Sequence, residues 1–89
     1  MSTTIAVIGA GNIGEALISG LVNSGVNPET ITATNRTEAR REELTQRYGV
    51  ITTDDNVEAV TDAEVCFLCV KPYAIAEMIE ELSDAIAAN

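Results

Sequence analysis

The residues whose spacing most directly suggests chemistry are three glycines. Gly9-Ala10-Gly11-Asn12-Ile13-Gly14 forms a complete Gly-x-Gly-x-x-Gly, placed where the apolar run Ile5-Ala6-Val7-Ile8 gives way to helical spacing. A strand that turns sharply into a helix directs unpaired N–H groups and the positive end of the helix dipole at one point, which suits a diphosphate. Each glycine has its own task there: Gly9 permits the tight turn, Gly11 lets the anion approach the backbone, and Gly14 lets the helix pack closely on the strand. The motif alone is weak evidence. The strand before it, the helix after it and a second strand ending about twenty residues later supply the context it needs. The expected ligand is therefore the pyrophosphate of a nicotinamide dinucleotide, with Ile8 to Gly14 as the binding segment.

The end of the second strand is where such a ligand is chosen, because an Asp or Glu there would accept hydrogen bonds from the adenosine ribose of NAD. Thr34-Asn35-Arg36-Thr37 occupies that place instead. No carboxylate is present to repel a 2′-phosphate, Arg36 offers a planar cation, and Asn35 and Thr37 offer short hydrogen-bonding side chains. The pattern points to NADP(H), with NAD(H) as the alternative. Arg36, Arg40, Arg41 and Arg47 are four of the five basic residues. Arg36, and with it Arg40, is a candidate for the phosphate. The competing reading pairs Arg40, Arg41 and Arg47 with Glu38, Glu42 and Glu43 on a solvated helix face, and it is favoured for Arg41 and Arg47.

A third segment, Cys69-Val70-Lys71-Pro72, follows the fourth strand at the sheet edge where ligands of open α/β sheets bind. Lys71 either approaches the dinucleotide there or points to solvent. Cys66 and Cys69 have the C-x-x-C spacing of a redox pair or half a zinc site. Side chains three apart on a strand point to opposite faces, and there is no histidine or second cysteine pair, so both read as reduced core cysteines. No metal site and no catalytic residue is expected.

Elements that position these residues follow from periodicity. Ile5–Ile8 reads as a strand covered on both faces. A helix follows with the stripe Ile13, Ala16, Leu17, Gly20, Leu21, ended by Gly25. Thr30–Thr34 is β-branched and alternating, hence a second strand. Thr37–Tyr48 is a charged surface helix with a thin inward stripe of Ala39, Leu44 and Tyr48, stopped by Gly49. Val50–Thr52 reads as an edge strand, and Asp54–Val60 as a brief helix with Asp54 or Asp55 near its start. Val65–Val70 is the fourth strand. Pro72 opens a last helix whose apolar face is Ile75, Met78, Ile79, Leu82 and Ile86. Strands alternating with helices predict an α/β, Rossmann-like three-layer fold: a parallel sheet of order 3-2-1-4, the first half of a doubly wound domain, with the two most apolar strands at its centre.

Composition narrows the function. With 46% apolar and 21% charged residues the chain is globular, and 89 residues suffice for one core. A formal charge of −9 repels polyanions, and Phe67, Tyr48 and Tyr73 are too few rings for base stacking, so nucleic acid is excluded as a partner. No apolar run is long enough to span a bilayer, and Ile5–Ile8 lacks the flanks of a signal peptide. A cytoplasmic protein is expected.

The chain resembles the N-terminal domain of pyrroline-5-carboxylate reductases over nearly its whole length. The matching segments are Ile8–Gly14, Asn35-Arg36-Thr37, Tyr48-Gly49-Val50, Thr53-Asp54-Asp55-Asn56 and Val70-Lys71-Pro72, the last two being more specific than the glycine motif. The resemblance implies reduction of 1-pyrroline-5-carboxylate to L-proline with NADPH or NADH. It implies that the glycine loop holds the pyrophosphate, Asn35 and Arg36 the adenosine end, and Asn56 the adenosine ribose region, while Cys69–Pro72 lie along the cofactor. Family members also carry a helical C-terminal domain that dimerises and supplies the substrate site. Residues 1–89 are therefore expected to be the cofactor domain alone, catalytically silent, with strand four left as an edge prone to self-association. The alternatives are the cofactor domain of a deazaflavin-linked NADP reductase or a hydroxyacid dehydrogenase, and a non-catalytic NADPH-sensing module. A methyltransferase would need an acidic residue where Asn35 and Arg36 stand.

Overall fold

The computed structural model describes residues 3–61 and 63–87, with the backbone alone for 84–87. Strands β1 (Ile5–Ile8), β2 (Ile31–Thr34), β3 (Ile51–Thr53) and β4 (Val65–Leu68) alternate with helices α1 (Asn12–Asn23), α2 (Glu38–Tyr48), α3 (Asn56–Thr61) and α4 (Ile75–Ala87). Short 3-10 turns at Pro28–Thr30 and Pro72–Ala74 lead into β2 and α4. All pairings are parallel and the order is β3-β2-β1-β4, as the alternation of periods predicts. Ile5 faces Ile31 on one side and Val65 on the other.

The period of two along β1 divides the core into two layers. Ile5 and Val7 join Ile18 of α1, Leu44 of α2, and Ile31 and Ala33 of β2 on one face. Ala6 and Ile8 join Ala59 and Val60 of α3 and Leu82 of α4 on the other. With helices on both faces, β1 must be apolar at every position, and all four of its residues are buried. Gly49 terminates α2 in the left-handed conformation, its N–H donating to the Thr45 carbonyl at 2.9 Å, a conformation glycine adopts without a Cβ penalty. Asp55 precedes α3 and accepts from the Glu58 N–H at 3.1 Å. No helix among the described residues is long and apolar enough to cross a membrane.

Four expectations are corrected. The two central strands are β1 and β2 rather than the two most apolar ones, and β4, at the edge as its place in the order requires, is only half-buried. It ends at Leu68, which leaves Cys69 and Val70 in the following loop. The inward stripe of α1 is Gly14, Leu17, Ile18 and Leu21, whereas Ala16 and Gly20 are exposed and Ile13 is 74% exposed. In this rotation Gly14 faces β1, where the lack of a side chain lets the helix pack closely on the strand. A Cβ at Gly14 would lie 3.4 Å from Val7 Cγ1. Finally, Ala39 faces solvent, so α2 buries Leu44 and half-buries Tyr48. In α4, Leu82 is buried, Ile75 and Met78 are half-buried and Ile79 is exposed, while the side chain of Ile86 lies outside the described residues.

Candidate functional site

At the C-terminal ends of β1, β2 and β4 the chain builds a cleft of about 580 Å³. Its floor is the turn leaving β1. Gly9 has φ +79°, and a Cβ there would lie 2.6 Å from Val70 Cγ1 and 3.3 Å from the Cys69 carbonyl oxygen. Glycine is therefore required twice over, by conformation and by space. The turn is fastened from both neighbouring strands. From β2, the buried Thr34 accepts the Gly9 N–H on its hydroxyl at 2.9 Å and the Ala10 N–H on its carbonyl at 2.7 Å. From the β4 side, the Cys69 N–H donates to the Ile8 carbonyl at 2.8 Å.

Above this turn, Gly11 caps α1 without any side chain to accept from the first-turn amides. Nothing lies within 4 Å of where its Cβ would be. Open space over the start of a twelve-residue helix is what an incoming diphosphate needs.

Among residues expected from the sequence, Gly9, Gly11, Asn12, Ile13, Asn35, Arg36, Asn56, Cys69, Val70, Lys71 and Pro72 line the cleft. Ile8, Ala10 and Gly14 are buried and support it from beneath. Thr37 stands outside the lining, exposed at the N-cap of α2, where its hydroxyl makes no capping bond. Asn35 is bound to the frame: its amide nitrogen donates to the Ala10 carbonyl at 3.2 Å and its amide oxygen accepts the Thr37 N–H at 2.9 Å. One further donor and acceptor position on that amide remain for a ligand. Asn56 donates to Met78 Sδ at 3.6 Å.

Sequence reasoning missed Thr34, Asp54, Ala74 and Met78, which also line the cleft. Thr34 had a signal, as the last residue of a strand abutting a glycine turn. Met78 had none, since its place depends on how α4 folds back.

Of the pairings expected on the face of α2, that of Arg40 with Glu43 is present, whereas the other contacts of Arg40, Arg41 and Arg47 lie elsewhere. Arg40 Nη2 pairs with Glu15 Oε1 at 2.6 Å and reaches the Gly11 carbonyl at 3.3 Å, while its Nη1 meets Glu43. Arg47 pairs with Glu15 Oε2, which also accepts from the Tyr48 hydroxyl at 2.6 Å. Arg41 donates to the Asn35 carbonyl at 2.8 Å. Thus Arg41 and Arg47 do not pair with Glu38, Glu42 or Glu43; their partners lie on β2's end and on α1. The Tyr48 hydroxyl foremost, and then Arg40 and Arg47, hold the Glu15 carboxyl at about 2, well below its ordinary value. Among the described residues Arg36 pairs with no carboxylate. Cys66 packs against one layer of the core and Cys69 against the other, and burial pushes both thiols upward.

A family model described as NADP oxidoreductase, coenzyme F420-dependent, matches residues 4–89. The chain belongs to that family. It is 51% identical over 87 residues to a pyrroline-5-carboxylate reductase of Corynebacterium melassecola, a match covering 98% of this chain and 32% of that protein. Among solved structures, a pyrroline-5-carboxylate reductase from Coxiella burnetii superposes with a TM-score of 0.93 at 34% identity, over 100% of this chain and 33% of the other. The Plasmodium falciparum pyrroline carboxylate reductase with NADP bound shares the fold, with a TM-score of 0.80 at 15% identity over 98% of this chain and 31% of that one. The chain spans about a third of the length of the relatives it matches.

Proposed function

We propose that residues 1–89 are the NADP(H)-binding domain of a pyrroline-5-carboxylate reductase, the enzyme that reduces the C=N bond of 1-pyrroline-5-carboxylate to give L-proline. The observation that carries the cofactor reading is that Gly11 and Arg36 line one cleft from adjacent strand ends, with open space over the former. The amides that open α1 receive the diphosphate, Arg36 with the Thr37 hydroxyl receives the 2′-phosphate, and Asn56 meets the ribose region. Cys69 to Pro72 run along the rest of the dinucleotide, and Lys71, exposed on the cleft, adds a second cation. When bound, the nicotinamide supplies the hydride; this chain's own residues bind and orient it.

Identity of 51% to a named reductase supports the substrate assignment over the other members of the family. By the resemblance, the substrate site and the dimer contacts lie in the two thirds of the relatives' length that this chain does not match, and residues 1–89 on their own are expected to bind cofactor without turnover. The family description favours one second reading, an NADP reductase linked to a deazaflavin coenzyme. A chimera joining this chain to the remaining two thirds of the C. melassecola enzyme decides between them: reduction of pyrroline-5-carboxylate with NADPH supports the first reading, and failure in a folded chimera that still binds NADPH removes it.

Cofactor choice is tested by titrating NADPH and NADH into wild type and Arg36→Ala. Loss of a charged hydrogen bond weakens NADPH by about 1 to 3 kcal/mol, roughly five- to 150-fold, and leaves NADH nearly unchanged. Equal weakening of both would assign Arg36 a structural role. The outer edge of β4, where Val65 is exposed, supports self-association of residues 1–89 along that edge, apart from the dimer contacts that the resemblance assigns to the rest of the enzyme. A concentration-independent monomer mass in light scattering would remove the oligomer.

A further inference from the structure

The Arg40–Glu15 pair has no task in cofactor binding as described so far, yet it touches the one peptide group that matters most. Arg40 is not among the residues lining the cleft, whereas Gly11, whose carbonyl it reaches, is. That carbonyl also accepts the first helical bond, from the Glu15 N–H at 2.8 Å. In a trans peptide the carbonyl of one residue and the N–H of the next lie in one plane and point in opposite directions. Holding the Gly11 oxygen against the body of the protein therefore turns the Asn12 N–H outward, and Gly11 and Asn12 both line the cleft. The helical bond from Glu15 already restrains that oxygen and Arg40 adds a second donor to it, a useful restraint at glycine, whose backbone dihedrals are loosely determined without a Cβ.

We propose that Arg40 is a positioning residue: anchored by Glu15, it fixes the Gly11–Asn12 peptide plane so that the Asn12 N–H faces the bound diphosphate. Glu15 is suited to be the anchor because both its oxygens are engaged, Oε1 by Arg40 and Oε2 by Arg47 and Tyr48. Its carboxylate therefore has one orientation, and Arg40 inherits it. Glu43 holds the other guanidinium nitrogen, so the planar fork spans two carboxylates and a carbonyl. Arg40 is thereby distinguished from Arg36. The first serves the diphosphate, which every nicotinamide dinucleotide carries; the second serves the 2′-phosphate, which only NADP carries.

The inference rests on the dinucleotide reading above, and its test separates the two. NADPH and NADH are titrated into wild type, Arg40→Gln, Glu15→Gln and the double variant, with thermal melts on each. Arg40→Gln is expected to weaken both dinucleotides by a similar factor, on the order of tenfold for a lost charged hydrogen bond. Glu15→Gln should weaken both in the same direction, and the double variant should bind no worse than Arg40→Gln within about twofold, because the two residues act as one unit. Selective loss of NADPH in Arg40→Gln, or tighter NADPH in Glu15→Gln, would overturn the proposal and make Arg40 a phosphate ligand restrained by Glu15. Lower melting temperatures with unchanged affinities would overturn it too, leaving a purely structural pair. If Arg40→Gln does not fold, the more conservative Glu15→Gln carries the same comparison. Wild type that binds neither dinucleotide would defeat the cofactor reading itself.

Discussion

Thr34 offers the sharpest quantitative test of how the glycine turn is held. Its side chain is buried at the end of β2, and its hydroxyl accepts the Gly9 N–H at 2.9 Å. Thr34→Val keeps the shape and removes the acceptor, so the half-buried Gly9 amide loses its partner. Stranding such a donor costs about 1 to 3 kcal/mol, of which the additional buried methyl returns about 0.8 kcal/mol, for a net loss of about 1.2 kcal/mol at the middle of that range. Thr34→Ser keeps the hydroxyl and removes a methyl, for a cost of about 0.8 kcal/mol. The valine variant should therefore be the less stable of the two, an order that burial of apolar area alone would reverse. Urea unfolding followed by far-UV circular dichroism measures both, and each kcal/mol corresponds to about 4–8 °C in Tm for a domain this size. The valine variant should also bind NADPH and NADH more weakly by a common factor, since the turn beneath the diphosphate is loosened. Thr34→Val as stable as wild type, with an unchanged denaturant slope, would refute the reasoning.

The three glycines should respond differently to alanine. Gly9→Ala meets both a left-handed φ and Val70 at 2.6 Å, so it should lose more than about 1 kcal/mol in the same urea assay. Gly11→Ala meets nothing within 4 Å and should keep wild-type stability while losing dinucleotide affinity in a fluorescence titration, because the methyl occupies the anion's approach. Gly14→Ala sits 3.2 Å from Ala10 Cβ, a crowding offset by the helix preference of alanine, and should change stability by less than about 1 kcal/mol. A pH series reads Glu15: its folded carboxyl lies at about 2 against an ordinary 4.5, so its stabilisation is fully present above about pH 4.5 and is lost as pH falls toward 2. Glu15→Gln should accordingly show a shallower fall in Tm than wild type over that acid range.

How much of this was legible in the sequence depends on the range over which each feature is decided. The turn at Gly9 to Gly14 was legible because spacing and context are local, and the sheet order followed from alternating periods. The rotation of α1 was misread because Ile13, Ala16 and Leu17 make as good an apolar stripe as Gly14, Leu17 and Ile18. Only the placing of Gly14 against β1 separates the two, and Ile13, freed from the core, becomes a wall of the cleft. Glu15 could not be recognised as a hub, since Arg40, Arg47 and Tyr48 reach it from the next helix only after α1 and α2 lie side by side. A pairing rule confined to one helix finds Arg40 with Glu43 and misses the rest. Asp54 and Met78 depend on loop and helix placement in the same way.

The charge balance of the cleft explains how a chain of net charge −9 can take up a dinucleotide anion. Charges farther than about 8 Å are largely screened at physiological ionic strength, so most of the acidic surface contributes little at the site. What counts is near the amides, and there Glu15, in the first turn of α1, would oppose a phosphate at the same helix end if it stood unpaired. Two guanidiniums and a phenol on that one carboxylate leave the helix start without local net negative charge. Arg40 and Arg47 are occupied in this way and Arg41 is turned to the Asn35 carbonyl, so the basic side chains lining the cleft reduce to Arg36 and Lys71. A cluster of four arginines in sequence thus resolves into different duties, and the one at the end of β2 without a carboxylate partner among the described residues is the one proposed to tell one dinucleotide from another.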